Sequence, residues 1–213
     1  MKTKPLLVAI VGGSGSGKTW LADRLCAELG DCAARLTLDD FYRDRSQVPV
    51  ARRGRINFDH PRAIDWKSFE RVLRQCLAGG TARVPVYDFG THSRLARTRV
   101  FQSRPIILVD GLWLLHRPML RRLFGLSLFL KCPGRMRLQR RLARDLQTRN
   151  RSAGSVREQF RLTVAPMHQR HVEPQMRWAE LVIREIPTKR RVKSLAHKLR
   201  SKAAMLTSDS GSV

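Results

Sequence analysis

Short, wholly apolar runs alternate along the chain with longer amphipathic stretches, the pattern of parallel strands joined by helices. Leu6 to Val11 is apolar at every position, as a strand buried on both faces requires. Trp20 to Leu29 carries helical spacing through Leu21, Leu25, Cys26 and Leu29, and Gly30 stops it. Arg35 to Leu38 reads as a second strand, and Trp66 to Leu77 as a helix with Phe69, Val72, Leu73 and Cys76 on one face. Arg83 to Val86 and Thr98 to Phe101 are expected to pair around a polar loop. Further strands are expected at Pro105 to Val109, Leu126 to Lys131 and Glu180 to Ile183. Helices are expected at Gly134 to Thr148, Ser155 to His171 and Val192 to Ala204. The Ser-rich end, Thr207 to Val213, reads as disordered. With no repeat and no long linker, residues 1–206 are expected to form one domain.

Composition narrows the classes. The 213 residues are enough for an ample core, and 42% hydrophobic content excludes general disorder despite a formal charge of +25. No apolar run approaches the roughly 20 residues of a membrane span, because Pro105 to Leu115 is broken by Asp110. Leu6 to Val11 is too short for a secretory core and runs into a glycine loop. Cys26, Cys32, Cys76 and Cys132 show neither a CxxC pair nor metal spacing, so reduced thiols and a cytoplasmic location are expected. The charge favours an anionic partner: nucleic acid, an acidic membrane or a phosphorylated small molecule.

The candidate chemistry selects among these. Gly12-Gly13-Ser14-Gly15-Ser16-Gly17-Lys18-Thr19 fits GxxxxGK[ST] between a buried strand and a helix, the context of a nucleotide-binding P-loop. The glycines let successive amide N–H groups face an anion at the positive end of the helix. Lys18 is placed to reach the β- and γ-phosphates and Thr19 to offer a hydroxyl to Mg²⁺. Ile106 to Asp110 is an apolar strand ending in a carboxylate, as P-loop proteins use to hold Mg²⁺; alone, Asp110 also reads as a turn residue before Gly111, and beside a P-loop the metal role is the better reading. Asp39 and Asp40 emerge from the second strand at the edge where ligands sit in open α/β folds. Either can serve a hydroxyl's proton or simply cap a turn.

The blocks GGSGSGKT, LDDFYRD, NFDHPRAID, VPVYDFGTHSR, VDGLWLL, RLQRRLARD and TVAPMHQRHVEP occur in the order seen in the uridine kinase (uridine–cytidine kinase) family, which the chain resembles over roughly residues 5 to 184. The resemblance implies an α/β P-loop kinase fold, a parallel sheet flanked by helices, with a hairpin insert at about 83–101 and a helical lid at about 134–152. It implies transfer of the γ-phosphate of ATP (or GTP), with Mg²⁺, to the 5′-hydroxyl of uridine or cytidine in pyrimidine salvage. Asp39 matches the family's general base and a metal-site carboxylate. Asp59 matches the acceptor of the ribose 2′- and 3′-hydroxyls. Tyr87 and His92 match readers of the pyrimidine edge, with Phe89 against the ring. Arg137, Arg140, Arg141 and Arg144 fall on the lid helix, Arg140 and Arg144 toward the transferring phosphate and Arg137 and Arg141 toward the donor. Arg149 and Arg151 match a segment closing on the substrate. Assembly into homo-oligomers is a further implication. The chain departs from the family pattern at Asp110, where Glu is usual, and at Asp40, Arg62, Trp66 and Trp113.

Three basic runs remain. Arg137, Arg140, Arg141 and Arg144 share one helical face, where like charges repel unless an anion lies between them; a triphosphate is such an anion. The C-terminal run (Lys189 to Lys202) reads first as an amphipathic helix through Val192, Leu195, Leu199 and Ala203, and second as a polyanion patch. Arg43, Arg45, Arg52, Arg53 and Arg55 fall in a loop near the acceptor. Two other functions stay open: a P-loop kinase of pantothenate or a sugar phosphate, and a basic nucleic-acid-binding regulator. The second is disfavoured because no basic stripe is interleaved with aromatics.

Overall fold

The computed structural model describes residues 4–53, 56–148 and 151–208. Strands run in chain order as β1 (Leu6–Gly12), β2 (Ala33–Thr37), β3 (Thr81–Asp88), β4 (Ser93–Gln102), β5 (Ile106–Gly111), β6 (Leu126–Leu130) and β7 (Leu181–Ile183). The helices are α1 (Lys18–Leu29), α2 (Val50–Arg53), α3 (Trp66–Leu77), α4 (Pro118–Arg121), α5 (Gly134–Thr148), α6 (Ala153–Gln159), α7 (Ala165–Met167) and α8 (Lys189–Ser208).

Five strands form one parallel sheet in the order β2-β5-β1-β6-β7, while β3 and β4 pair as a separate antiparallel hairpin. Every residue of β1, β5 and β6 is buried, as expected of predominantly apolar strands in a sheet covered on both sides, with Asp110 and Ser127 the polar positions among them. Two cores result. One face of the sheet packs α3, the hairpin and the turn after β5 around Phe41, Phe69, Trp113 and Phe129. The other packs α1 and α8 through Leu21, Leu25, Val192, Ala196 and Leu199. The basic C-terminal run is therefore an amphipathic helix that completes the second core. Trp113 is fully buried in the first core. Trp113→Ala should cost about 3–5 kcal/mol and lower Tm by roughly 6–20 °C in a thermal melt; an unchanged Tm would place the indole outside the core.

Helices α3 and α5 begin and end where the sequence places them, but the expected single helix over Ser155 to His171 does not form. Instead α6 passes into a π-helical turn at Phe160–Val164, then α7, then a second π turn at His168–Val172. Pro166 lies between the two π turns; it has no N–H to donate and its ring crowds the carbonyl four residues back, so the ladder cannot continue in α register. The hairpin extends beyond the expected strands, and Ala82 and Tyr87 of the added part bury in the core that α3 shares. Register places the site: β1 pairs with β5 so that Ile10 stands opposite Asp110, which brings the end of β5 beside the loop after β1.

Candidate active site

The loop Gly12 to Gly17 turns from β1 into α1, and Gly15 and Gly17 hold φ of 78° and 96°, conformations open to glycine. A Cβ on Gly15 would also collide with the Arg137 carbonyl, so α5 lies directly on this loop. Lys18 Nζ donates to the Gly13 carbonyl at 3.1 Å. Burial pushes its ammonium below the usual lysine range, against the pull of the Asp39 and Asp110 carboxylates. Thr19 Oγ1 donates to Asp110 Oδ2 at 3.2 Å. The other oxygen, Oδ1, accepts from Arg35 Nε at 2.9 Å, an arginine that also pairs with Asp23. The threonine hydroxyl and the carboxylates are hard oxygen donors, the set Mg²⁺ takes beside phosphate oxygens.

The four arginines on one face of α5 converge on this loop. Arg140 Nη1 donates to the Gly15 and Ser16 carbonyls at 3.4 and 3.3 Å, and Arg141 Nη1 donates to Ser14 Oγ at 2.9 Å. Arg137 is 4% exposed, yet its Nε and Nη1 have no hydrogen-bond partner among the described residues. Such an uncompensated buried guanidinium is costly unless an anion completes it. Asp145, fully buried, pairs with Arg141 and Arg144 and fixes their stems. Arg144 lines the loop pocket with Lys18, Thr19, Asp39 and Asp110.

That pocket, about 310 Å³, opens into a second of about 270 Å³, and the two share Tyr42, Asp59, Phe89 and Arg141. The second is an aromatic box. Tyr42 and Tyr87 lie 5.2 Å apart, Phe89 meets Tyr87 edge-on at 5.2 Å, and His92 stacks on Phe58 at 4.5 Å. The Tyr87 hydroxyl is buried without a hydrogen-bond partner among the described residues, and burial pushes its pKa up to about 12. His92 sits in the hairpin turn at φ 53°, a left-handed conformation uncommon outside glycine. Arg151 and Arg141 both donate to Gln159 Oε1 at the rim of the box. Arg149 lies outside the described residues.

The structure thus brings together the loop residues, Asp39, Asp59, Asp110, the box aromatics, His92, Arg151 and the four α5 arginines. Sequence reasoning missed Tyr42, Phe58 and Gln159 in the box, although Tyr42 and Phe58 neighbour residues it singled out. It also missed Arg94, which donates to the Tyr42 and Phe41 carbonyls and pairs with Asp65, so pinning the hairpin to the segment that carries Asp39. Asp40 pairs with Arg99 of the hairpin at 2.8 Å. A third cleft, about 610 Å³ and mostly apolar, abuts Ser16 and Gly17 and is lined by exposed Trp20 and Met136, with Pro133, Ile186 and Pro187. Its residues come from distant segments, so no local motif announced it.

His168 lies against the loop from the second π turn; a Cβ on Gly13 would stand 2.6 Å from its Nδ1. Burial, with Arg137 and Lys18 nearby, pushes its pKa down to about 4. The unfolded chain protonates this group near 6.5, so between about 4 and 6.5 the unfolded state holds more protons and stability falls as pH falls. His168→Gln should flatten that slope when urea unfolding is compared at about pH 7 and about pH 5; an unaltered slope would remove His168 as its source.

The chain matches the Phosphoribulokinase / Uridine kinase family over residues 7–191. It belongs to that family. This family member is 39% identical over 183 residues to the uridine kinase of Chloroflexus aurantiacus, covering 85% of this chain and 88% of the relative. It is 38% identical over 183 residues to that of Tolumonas auensis, covering 84% and 86%. The phosphoribulokinase of Rhodobacter spheroides shares its fold at TM-score 0.63 and 18% identity, over 91% of this chain and 75% of the other. The kinase is a phosphotransferase with the α/β P-loop architecture of its relatives.

Proposed function

We propose that the kinase transfers the γ-phosphate of ATP (or GTP) to the 5′-hydroxyl of a pyrimidine ribonucleoside, uridine or cytidine, giving the 5′-monophosphate in nucleotide salvage. One observation carries this reading: a carboxylate, Asp59, stands where the phosphate pocket meets an aromatic box. A nucleoside has that same sequence of parts, a 5′-hydroxyl, a diol and a flat ring with a polar edge. One carboxylate can accept from both diol hydroxyls, the box aromatics can flank the ring, and the unpartnered Tyr87 hydroxyl and the His92 imidazole can meet its edge. The names of the relatives point the same way.

In the reaction the acceptor oxygen attacks the γ-phosphorus, the bond to the bridging oxygen breaks, and the proton passes to Asp39. Lys18 and the loop amides hold the β- and γ-phosphates. Arg137, Arg140, Arg141 and Arg144 cover the negative charge that spreads over the transferring group. Thr19, Asp110 and Asp39 would hold Mg²⁺, which would neutralise charge on the β- and γ-oxygens. The apolar cleft beside Gly17 is suited to the donor's base. Arg151, at the rim of the box, and Arg149 are assigned to contacts with the nucleoside. A calorimetric titration with a non-hydrolysable ATP analogue present should show uridine binding and free ribose not binding. Equal affinity for both would remove the base-reading role of the box.

A further inference from the structure

His60, Pro61 and Arg62, which follow Asp59 of the aromatic box, help line a cavity of about 550 Å³ that shares no lining residue with the pockets described above. Its wall carries Arg43, Arg45, Arg62 and Arg117, and no carboxylate is found among the described residues lining it. Its floor is a histidine cluster: His171 meets His60 at 4.8 Å and His116 at 5.8 Å between ring centroids. Arg117 lies over the buried Trp66 ring at 5.0 Å, and the Trp66 indole donates to the Pro61 carbonyl. Fully buried Gln175 holds this floor in place. Its amide donates to the His171 and Leu112 carbonyls at 2.7 and 2.8 Å and accepts from the Leu115 amide at 2.9 Å. The His171 Nε2 is buried without a hydrogen-bond partner among the described residues.

We propose that this cavity is a second anion site, distinct from the catalytic centre, which takes a small molecule bearing two or more linked phosphates. Four guanidiniums exceed what one phosphate monoester needs, and the cavity falls in the size range of small-ligand pockets, roughly 300–1,000 Å³. A metal is a poorer occupant: no group of His, Cys, Asp or Glu among the described residues is arranged to hold one. His60 Nδ1 is already accepting from the Arg62 amide at 3.0 Å. Nucleic acid is a poorer occupant too, since the one indole present is buried beneath Arg117 and offers no stacking face. The site touches both flanks of the acceptor pocket, because His60 follows Asp59 and Arg43 follows Tyr42, with the Arg43 amide donating to the Ala63 carbonyl at 2.8 Å.

The floor also links binding to protons. His60 faces Arg62 and Arg170, His116 faces Arg117, Arg121 and His60, and His171 faces both other histidines and Arg170. Burial and these cations lower all three. An anion favours their charged forms, so its binding takes up protons and tightens as pH falls below neutral.

The probe is tripolyphosphate, titrated calorimetrically into the full chain in phosphate-free buffer without Mg²⁺. The wild-type protein should bind one equivalent more than Arg62→Gln/Arg117→Gln, and that variant should keep its turnover with ATP. Lys18→Ala, which alters the loop alone, should keep the extra equivalent and its tightening at lower pH. Equal stoichiometry in wild type and the double variant, or inorganic phosphate binding as tightly as tripolyphosphate, would overturn the proposal. So would an RNA oligomer that tripolyphosphate cannot displace.

Discussion

Asp39→Asn should lower kcat by about 10²- to 10⁴-fold, the range for a positioned proton acceptor, while ATP still binds. Asp39 lines the loop pocket beside Lys18, Thr19 and Asp110, and its segment is held from two sides. Its amide donates to Thr37 Oγ1 at 3.3 Å, and Arg94 grips the Phe41 and Tyr42 carbonyls just beyond it. Asparagine keeps the shape and removes the charge proposed to take the hydroxyl's proton. Phosphoryl transfer asks little covalent work of the protein, so the effect should fall on kcat and leave donor affinity to Lys18 and the glycine loop. Steady-state turnover with a parallel ATP-analogue titration checks this. Turnover within a few-fold of wild type would take Asp39 out of the base role.

The second large effect belongs to Asp59. Hydrogen bonds to a charged group contribute about 1.5–3 kcal/mol each, so Asp59→Ala should reduce kcat/KM for uridine by roughly 10- to 150-fold per bond lost. The loss should appear mainly in KM, because the diol is held alike before and during transfer. The wild-type enzyme should discriminate uridine from 2′-deoxyuridine, and Asp59→Ala should lose that discrimination. A variant that still discriminates would assign the diol to another group.

The loop, the buried strands and helices α3 and α5 were legible because each rests on local chemistry: glycines before GKT, unbroken apolar runs, and a helical apolar face closed by Gly79. The arginines on one face of α5 were legible from their spacing, and they do meet the loop. What was not legible depends on contacts between distant segments. Arg35 reaches Asp110 only because β2 lies beside β5, and the cleft beside Gly17 draws on α1, α5 and the segment after β7. The two π turns escaped because Val156, Phe160, Val164 and Val172 keep a helical rhythm of four-residue steps while Pro166 disrupts the ladder beneath it. His168 and His171 therefore face the loop and the second cavity, placements that α periodicity alone does not give. The +25 charge resolves along the same lines: one run covers the loop, one coats a core-packed helix, and part of the third lines the second cavity.

The most direct test of the central claim is phosphorus NMR of the products formed from ATP, Mg²⁺ and a panel of ribonucleosides, deoxynucleosides, pantothenate and sugar phosphates. Uridine and cytidine should yield 5′-monophosphates faster than any other acceptor. Product from pantothenate or a sugar phosphate, with none from any ribonucleoside, would contradict the account.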